Sequence, residues 1–109
     1  NWFTPDFHQR RPDVVASFKT MVESCPATGY LGCCAALRDE DLREAISSIK
    51  GPVLAVAGQT DVPTPPEALA FIHQQIEGSK MLTLDAAHLS NVEQAEAFTS
   101  AVMGFLGSL

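Results

Sequence analysis

Two residues combine reactive chemistry with suggestive spacing: Asp61, in Gly58-Gln59-Thr60-Asp61-Val62-Pro63, and His88, in Asp85-Ala86-Ala87-His88-Leu89. A carboxylate hydrogen-bonded to an imidazole fixes the ring's tautomer. It also stabilises the imidazolium that forms when the ring takes a proton from a nucleophile. Such a pair is the acid and general base of a nucleophilic triad. Singly, each residue has a plainer explanation, since a loop aspartate usually shapes a turn and a loop histidine usually lies on the surface. Together, on consecutive loops and in the order acid then histidine, they favour the catalytic reading.

The elements that must position them are legible. Val53-Leu54-Ala55-Val56-Ala57 is a short apolar run ending at Gly58, the pattern of a strand buried on both faces of a parallel sheet. A helix from about Pro65 to Glu77, the turn Gly78-Ser79 and a second strand, Met81 to Leu84, follow. A last helix is expected from about Asn91 to Leu106, with Phe98, Val102 and Phe105 on one face. Strand, helix, strand, helix is a βαβ crossover with one more helix, and such crossovers are right-handed. Asp61 and His88 then leave the carboxyl ends of neighbouring strands, the rim where open α/β sheets bind ligands. Thr64 with Glu67, and Ser90 with Glu93, have capping-box spacing, so each loop is expected to close with a helix cap. Two parallel strands with bare edges do not make a stable sheet alone, so further strands must come from elsewhere.

The amino-terminal part is helical in pattern. Val14, Val15, Phe18, Met21 and Val22 recur at helical spacing from Pro12 to about Ser24, and Thr28 can cap a second helix with Tyr30, Cys33, Cys34 and Leu37 on one face. A third short helical piece is expected over Glu40 to Ile49, stopped by Gly51-Pro52. His8, in a polar stretch, reads as a surface residue, and His73 as one at a packing edge. Asp85 reads as a turn former, and Asp39 and Asp41 as parts of a solvated acidic turn.

The chain has 109 residues, 46% hydrophobic and 18% charged, with formal net charge −6. That is globular composition, and it argues against a nucleic-acid surface or an anionic membrane as partner. No apolar run approaches the roughly 20 residues of a membrane span. Arg10 and Arg11 precede an ordinary amphipathic segment rather than a secretory leader. Asn1 stands where a methionine would open a chain, which fits a start within something longer. Cys25, Cys33 and Cys34 are odd in number and lack Cys-x-x-Cys spacing. They are expected as buried free thiols in a reducing cytoplasm.

A triad also needs a nucleophile, and no serine here lies in Gly-x-Ser-x-Gly. Ser79 follows a glycine but precedes Lys80 and Met81, and no glycine-rich segment offers an oxyanion hole. Losing one oxyanion donor costs about 3–4 kcal/mol of transition-state stabilisation. By itself the chain is therefore expected to be inactive as a hydrolase.

With these residues in view, the sequence resembles the 3-oxoadipate enol-lactonases of the α/β-hydrolase family. Gly58-Gln59-Thr60-Asp61 with Thr64-Pro65-Pro66, and Ala87-His88-Leu89-Ser90-Asn91-Val92-Glu93-Gln94, carry the general likeness. Asn1-Trp2-Phe3-Thr4-Pro5 and Gly29-Tyr30-Leu31-Gly32-Cys33-Cys34-Ala35-Ala36-Leu37-Arg38-Asp39 carry the particular one, and Ala95 stands where many members have proline. The resemblance implies an α/β fold: the end of a helical cap (residues 1–45), then the C-terminal part of a hydrolase core (46–109). It implies hydrolysis of a small enol-lactone without metal or organic cofactor, in the cytoplasm. Asp61 is then the triad acid, His88 the base, and Trp2 a wall of the substrate pocket. The partner implied is a missing N-terminal half carrying the nucleophile. A related esterase with another acyl substrate, or a non-catalytic assembly module built on the same unit, are the competing readings.

Overall fold

The structure, a computed structural model, describes residues 2–109; Asn1 lies outside the described residues. Thr4 opens the first helix, α1 (Pro5–Arg10): its hydroxyl accepts from the Phe7 N–H at 3.2 Å, and Pro5 supplies the preset φ of a first helical residue. This helix was not expected from the sequence, although threonine, proline and Asp6 are its ordinary opening signals. It stops at Arg11, because the residue before a proline is pushed out of helical geometry. Pro12 then starts α2 (Pro12–Glu23), as its spacing predicts.

Phe3 and Phe7 stack at 4.9 Å, and Phe3 meets the edge of Phe18 at 5.4 Å, making a small aromatic cluster between α1 and α2. Helix α3 (Ala27–Asp39) begins two residues earlier than a Thr28 cap would allow, since the Pro26 carbonyl accepts from Tyr30 at 3.1 Å. Thr28 lies inside its first turn. Cys25, between α2 and α3, and Cys33 and Cys34, on α3, are free but exposed, not buried; along α3 only Ala35 is not exposed. Of the piece expected over Glu40 to Ile49, only a 3-10 turn forms, Ala45–Ser48.

The carboxy-terminal part is the crossover. Strands β1 (Leu54–Gly58) and β2 (Lys80–Leu84) pair in parallel, from Leu54 opposite Lys80 to Gly58 opposite Leu84. Helix α4 (Pro66–Gln75) joins them, followed by a turn in which Gly78 takes φ +75°, a conformation glycine adopts without strain. Ala55, Ala57, Ile76, Leu84, Ala86 and Ala87 are buried and form the second cluster. The last helix is two helices, α5 (Ser90–Glu93) and α6 (Ala95–Leu106), because Gln94 leaves helical geometry at φ −122°, ψ 49°. The Gln94 side chain donates instead to the Asp85 carbonyl at 2.8 Å. Ala95 is the first residue of α6, a position proline also tolerates. Among the described residues no helix is long and apolar enough to cross a membrane.

Candidate active site

The two loops at the carboxyl ends of β1 and β2 are bonded to each other before any side chain is considered. Gln59 N–H donates to the Leu84 carbonyl at 2.8 Å and Thr60 N–H to the Ala86 carbonyl at 3.0 Å. Gly58 makes this possible: a Cβ there would lie 2.1 Å from the Ala87 carbonyl oxygen and 2.8 Å from that of Ala86. Only glycine lets the backbones come this close.

Asp61 is 8% exposed. Its Oδ1 accepts from the Thr64 N–H at 3.1 Å, and its Oδ2 accepts from the Thr64 hydroxyl at 2.7 Å. The same Oδ2 lies 2.9 Å from His88 Nδ1. Burial raises the carboxyl's pKa, but the Thr64 N–H, the His88 ring and the Thr64 hydroxyl together outweigh it, so Asp61 titrates below the usual carboxylate range. At neutral pH it is ionised and can only accept. His88 Nδ1 must then carry the proton in their shared bond, leaving the lone pair of the neutral ring on Nε2. Nε2 has no hydrogen-bond partner among the described residues, and the side chain is 33% exposed.

Thr64 departs from its expected role. Pro65, not Thr64, sits at the N-cap of α4, and no side chain caps it. The Thr64 hydroxyl faces Asp61 and stands 3.3 Å from His88 Nδ1, so it belongs to the pair. The second capping box is likewise absent. Leu89 is the N-cap of α5, and Glu93 turns inward to accept from the Ala87 N–H at 3.1 Å.

Trp2 lies beside the pair, its indole 6.5 Å from the His88 ring at a 38° tilt, and its carbonyl accepts from Leu89 N–H at 3.0 Å. The other candidates do not join. His8 is exposed on α1, and His73 Nδ1 meets the Ser79 hydroxyl at 2.7 Å, at the packing edge anticipated for it. Asp85 is exposed, and Asp39 and Asp41 pair in solvent with Arg38 and Arg43. Thr64, Glu93, Thr4 and Gly58 were not singled out as site residues from sequence, and only the glycine ending a strand run carried a usable signal.

A parallel βαβ unit presenting an aspartate and a histidine from adjacent strand ends defines a class: the fold is that of the α/β-hydrolases. It superposes on the enol-lactonase of Burkholderia xenovorans with a TM-score of 0.95 at 37% identity, covering 97% of this chain and 41% of that one. Within that class the chain is homologous to 3-oxoadipate enol-lactonases. It is 39% identical over 101 residues to 3-oxoadipate enol-lactonase 2 of Acinetobacter baylyi, covering 93% of this chain and 38% of that protein. To 3-oxoadipate enol-lactonase 1 of the same organism it is 34% identical over 108 residues, covering 99% of this chain and 41% of that protein. The chain thus spans about two-fifths of the length of the curated relatives it matches. No family model matches it.

Proposed function

We propose that the chain supplies the acid and the general base of a carboxylic ester hydrolase that opens an enol-lactone to 3-oxoadipate. Asp61 is the acid and His88 the base. Residues 46–109 are then the last part of the hydrolase core, residues 1–45 the end of a helical cap, and Trp2 a pocket wall. The nucleophile and oxyanion hole belong to a further part of the hydrolase. The observation that carries the reading is the 2.9 Å bond from His88 Nδ1 to Asp61 Oδ2, which leaves Nε2 free to take a proton.

The steps follow from that geometry. The nucleophile's hydroxyl proton passes to Nε2 as its oxygen attacks the lactone carbonyl, and Asp61 stabilises the imidazolium. The ring returns the proton to the leaving enolate oxygen as the acyl–oxygen bond breaks. Water then attacks the acyl-enzyme, giving its proton to His88, and the ring passes that proton to the nucleophile's oxygen as the acyl bond to it breaks; the enol released by ring opening tautomerises to the 3-oxo acid.

The test follows lactone opening with the chain joined to the remaining part of the hydrolase. His88→Ala is expected to abolish turnover, and unchanged activity would remove His88 from the base's role. A second reading, an esterase with another acyl substrate, draws on the 34% identity over 67 residues to a pimeloyl-[acyl-carrier protein] methyl ester esterase of Neisseria meningitidis. Relative rates on the enol-lactone and on simple aryl esters separate the two. Intact mass spectrometry of the purified protein tests the third possibility, an assembly module, which requires a folded species with no second polypeptide.

A further inference from the structure

We propose that Glu93 is a positioning residue that locks the Trp2–Thr4 segment onto the His88 loop, so that segment and histidine form one rigid body. Glu93 is 9% exposed, and among the described residues no Lys, Arg or His forms an ion pair with it. Its charge is held by N–H and hydroxyl donors instead, and both oxygens are used. Oε2 accepts from the Ala87 N–H at 3.1 Å and faces the Thr4 N–H at 3.3 Å. Oε1 faces the same Thr4 N–H at 3.4 Å and accepts from the Thr4 hydroxyl.

The bonds close a ring around His88. The residue before it, Ala87, donates its N–H to Glu93. The residue after it, Leu89, donates its N–H to the Trp2 carbonyl at 3.0 Å. Thr4, two residues from Trp2, returns to Glu93 across a separation of 89 positions. Moving the Trp2–Thr4 segment away therefore breaks the Leu89 bond on one side of His88 and the Thr4 bonds to Glu93, which holds Ala87 on the other side. A carboxylate is the side chain that can hold all these donors. Glutamine would keep one accepting oxygen while its amide nitrogen could only donate, so it weakens the set without emptying it, and aspartate is one methylene too short.

The meaning of this clamp for catalysis rests on His88 being the base, but its existence does not, so the test uses no turnover. NMR of the chain joined to the remaining part of the hydrolase, with this chain alone isotope-labelled, is expected to show nuclear Overhauser cross-peaks between the Trp2 indole and the His88 imidazole. Trp2 is the sole tryptophan of the labelled chain, which makes the assignment unambiguous. Glu93→Ala and Thr4→Val are expected to lose these cross-peaks while cross-peaks between β1 and β2 persist. Thr4→Ser is expected to keep them, because it keeps both the hydroxyl to Glu93 and the cap on α1. Survival of the Trp2–His88 cross-peaks in either breaking variant overturns the proposal. So does their absence from the wild-type chain, or their loss in both variants only together with the strand cross-peaks.

Discussion

The loops around Asp61 and His88 and the helix α3 are built on opposite principles. In the loops, backbone groups bond across elements far apart in sequence, and Asp61, Ala86 and Ala87 are buried, as are Ser90 and Glu93 of the adjoining α5. Along α3 every residue but Ala35 is exposed, including Tyr30 at 61%, Leu31 at 64% and Leu37 at 83%. The loops carry their order within themselves, through hydrogen bonds whose partners are all present. The apolar face of α3 states only what it could be covered by, and hydrophobic burial is non-directional, so its sequence names no particular neighbour. The loops are therefore expected to be intolerant of change at specific atoms, whereas α3 is expected to tolerate it.

The largest expected break is at the charge itself. Asp61→Asn keeps the shape, but its amide can turn a donor toward His88 and reverse the tautomer. Loss of the acid in this way costs about 10⁴-fold in turnover in triads generally. On the function proposed above, the same drop is expected for lactone opening by the whole hydrolase, and a variant that keeps most of its turnover would show the pair to be merely structural.

Gly58→Ala comes next. Its methyl would meet the Ala87 carbonyl oxygen at 2.1 Å and must drive apart the two loops. Backbone cannot yield as a flexible side chain does, so a loss of about 3 kcal/mol or more is expected. The urea midpoint of unfolding reads this directly. A shift no larger than that of an exposed substitution would mean that the loops are less tightly joined than described.

Thr64→Val is smaller and depends on pH. It removes the hydroxyl bond to Asp61 but keeps the backbone one, for an expected cost of about 1–2 kcal/mol at neutral pH. The carboxyl's pKa is lowered in the folded protein, so the stability drawn from its ionised form is complete above the ordinary value of about 4. It is lost as pH falls through the lower folded value. The gap in Tm between wild type and variant should close in that acid window. Parallel curves from neutral pH into strong acid would place the contribution elsewhere.

What could be read in the sequence follows the same division. The strands and α4 were legible because a short apolar run and a helical period are local patterns, and the meeting of Asp61 with His88 was legible because the loop after each strand was. The expected capping boxes misled, since Ser-x-x-Glu is also the spacing that lets Glu93 turn back to Ala87, and its other partner, Thr4, lies 89 residues away. A single helix from Asn91 was expected for the same reason: nothing local distinguishes Gln94, which breaks it to reach Asp85. The cysteines were expected inside because cysteine usually is, but burial is decided by neighbours and not by residue type.

The smallest effect sharpens the contrast from the tolerant side. Gly32 lies in the interior of α3, and a Cβ built there has nothing within 4 Å. Glycine in a helix interior costs about 0.5–1 kcal/mol relative to alanine, chiefly in backbone entropy. Gly32→Ala should therefore stabilise the chain by about that much, read as a rise in Tm, in direct opposition to Gly58→Ala. The same substitution in the assembled hydrolase is a more searching test, because a surface packed closely on α3 would meet the new methyl and reverse the sign. Stabilisation in the chain with destabilisation in the assembly would locate the cover of the apolar face at Gly32. Stabilisation in both would place that cover on another part of the helix.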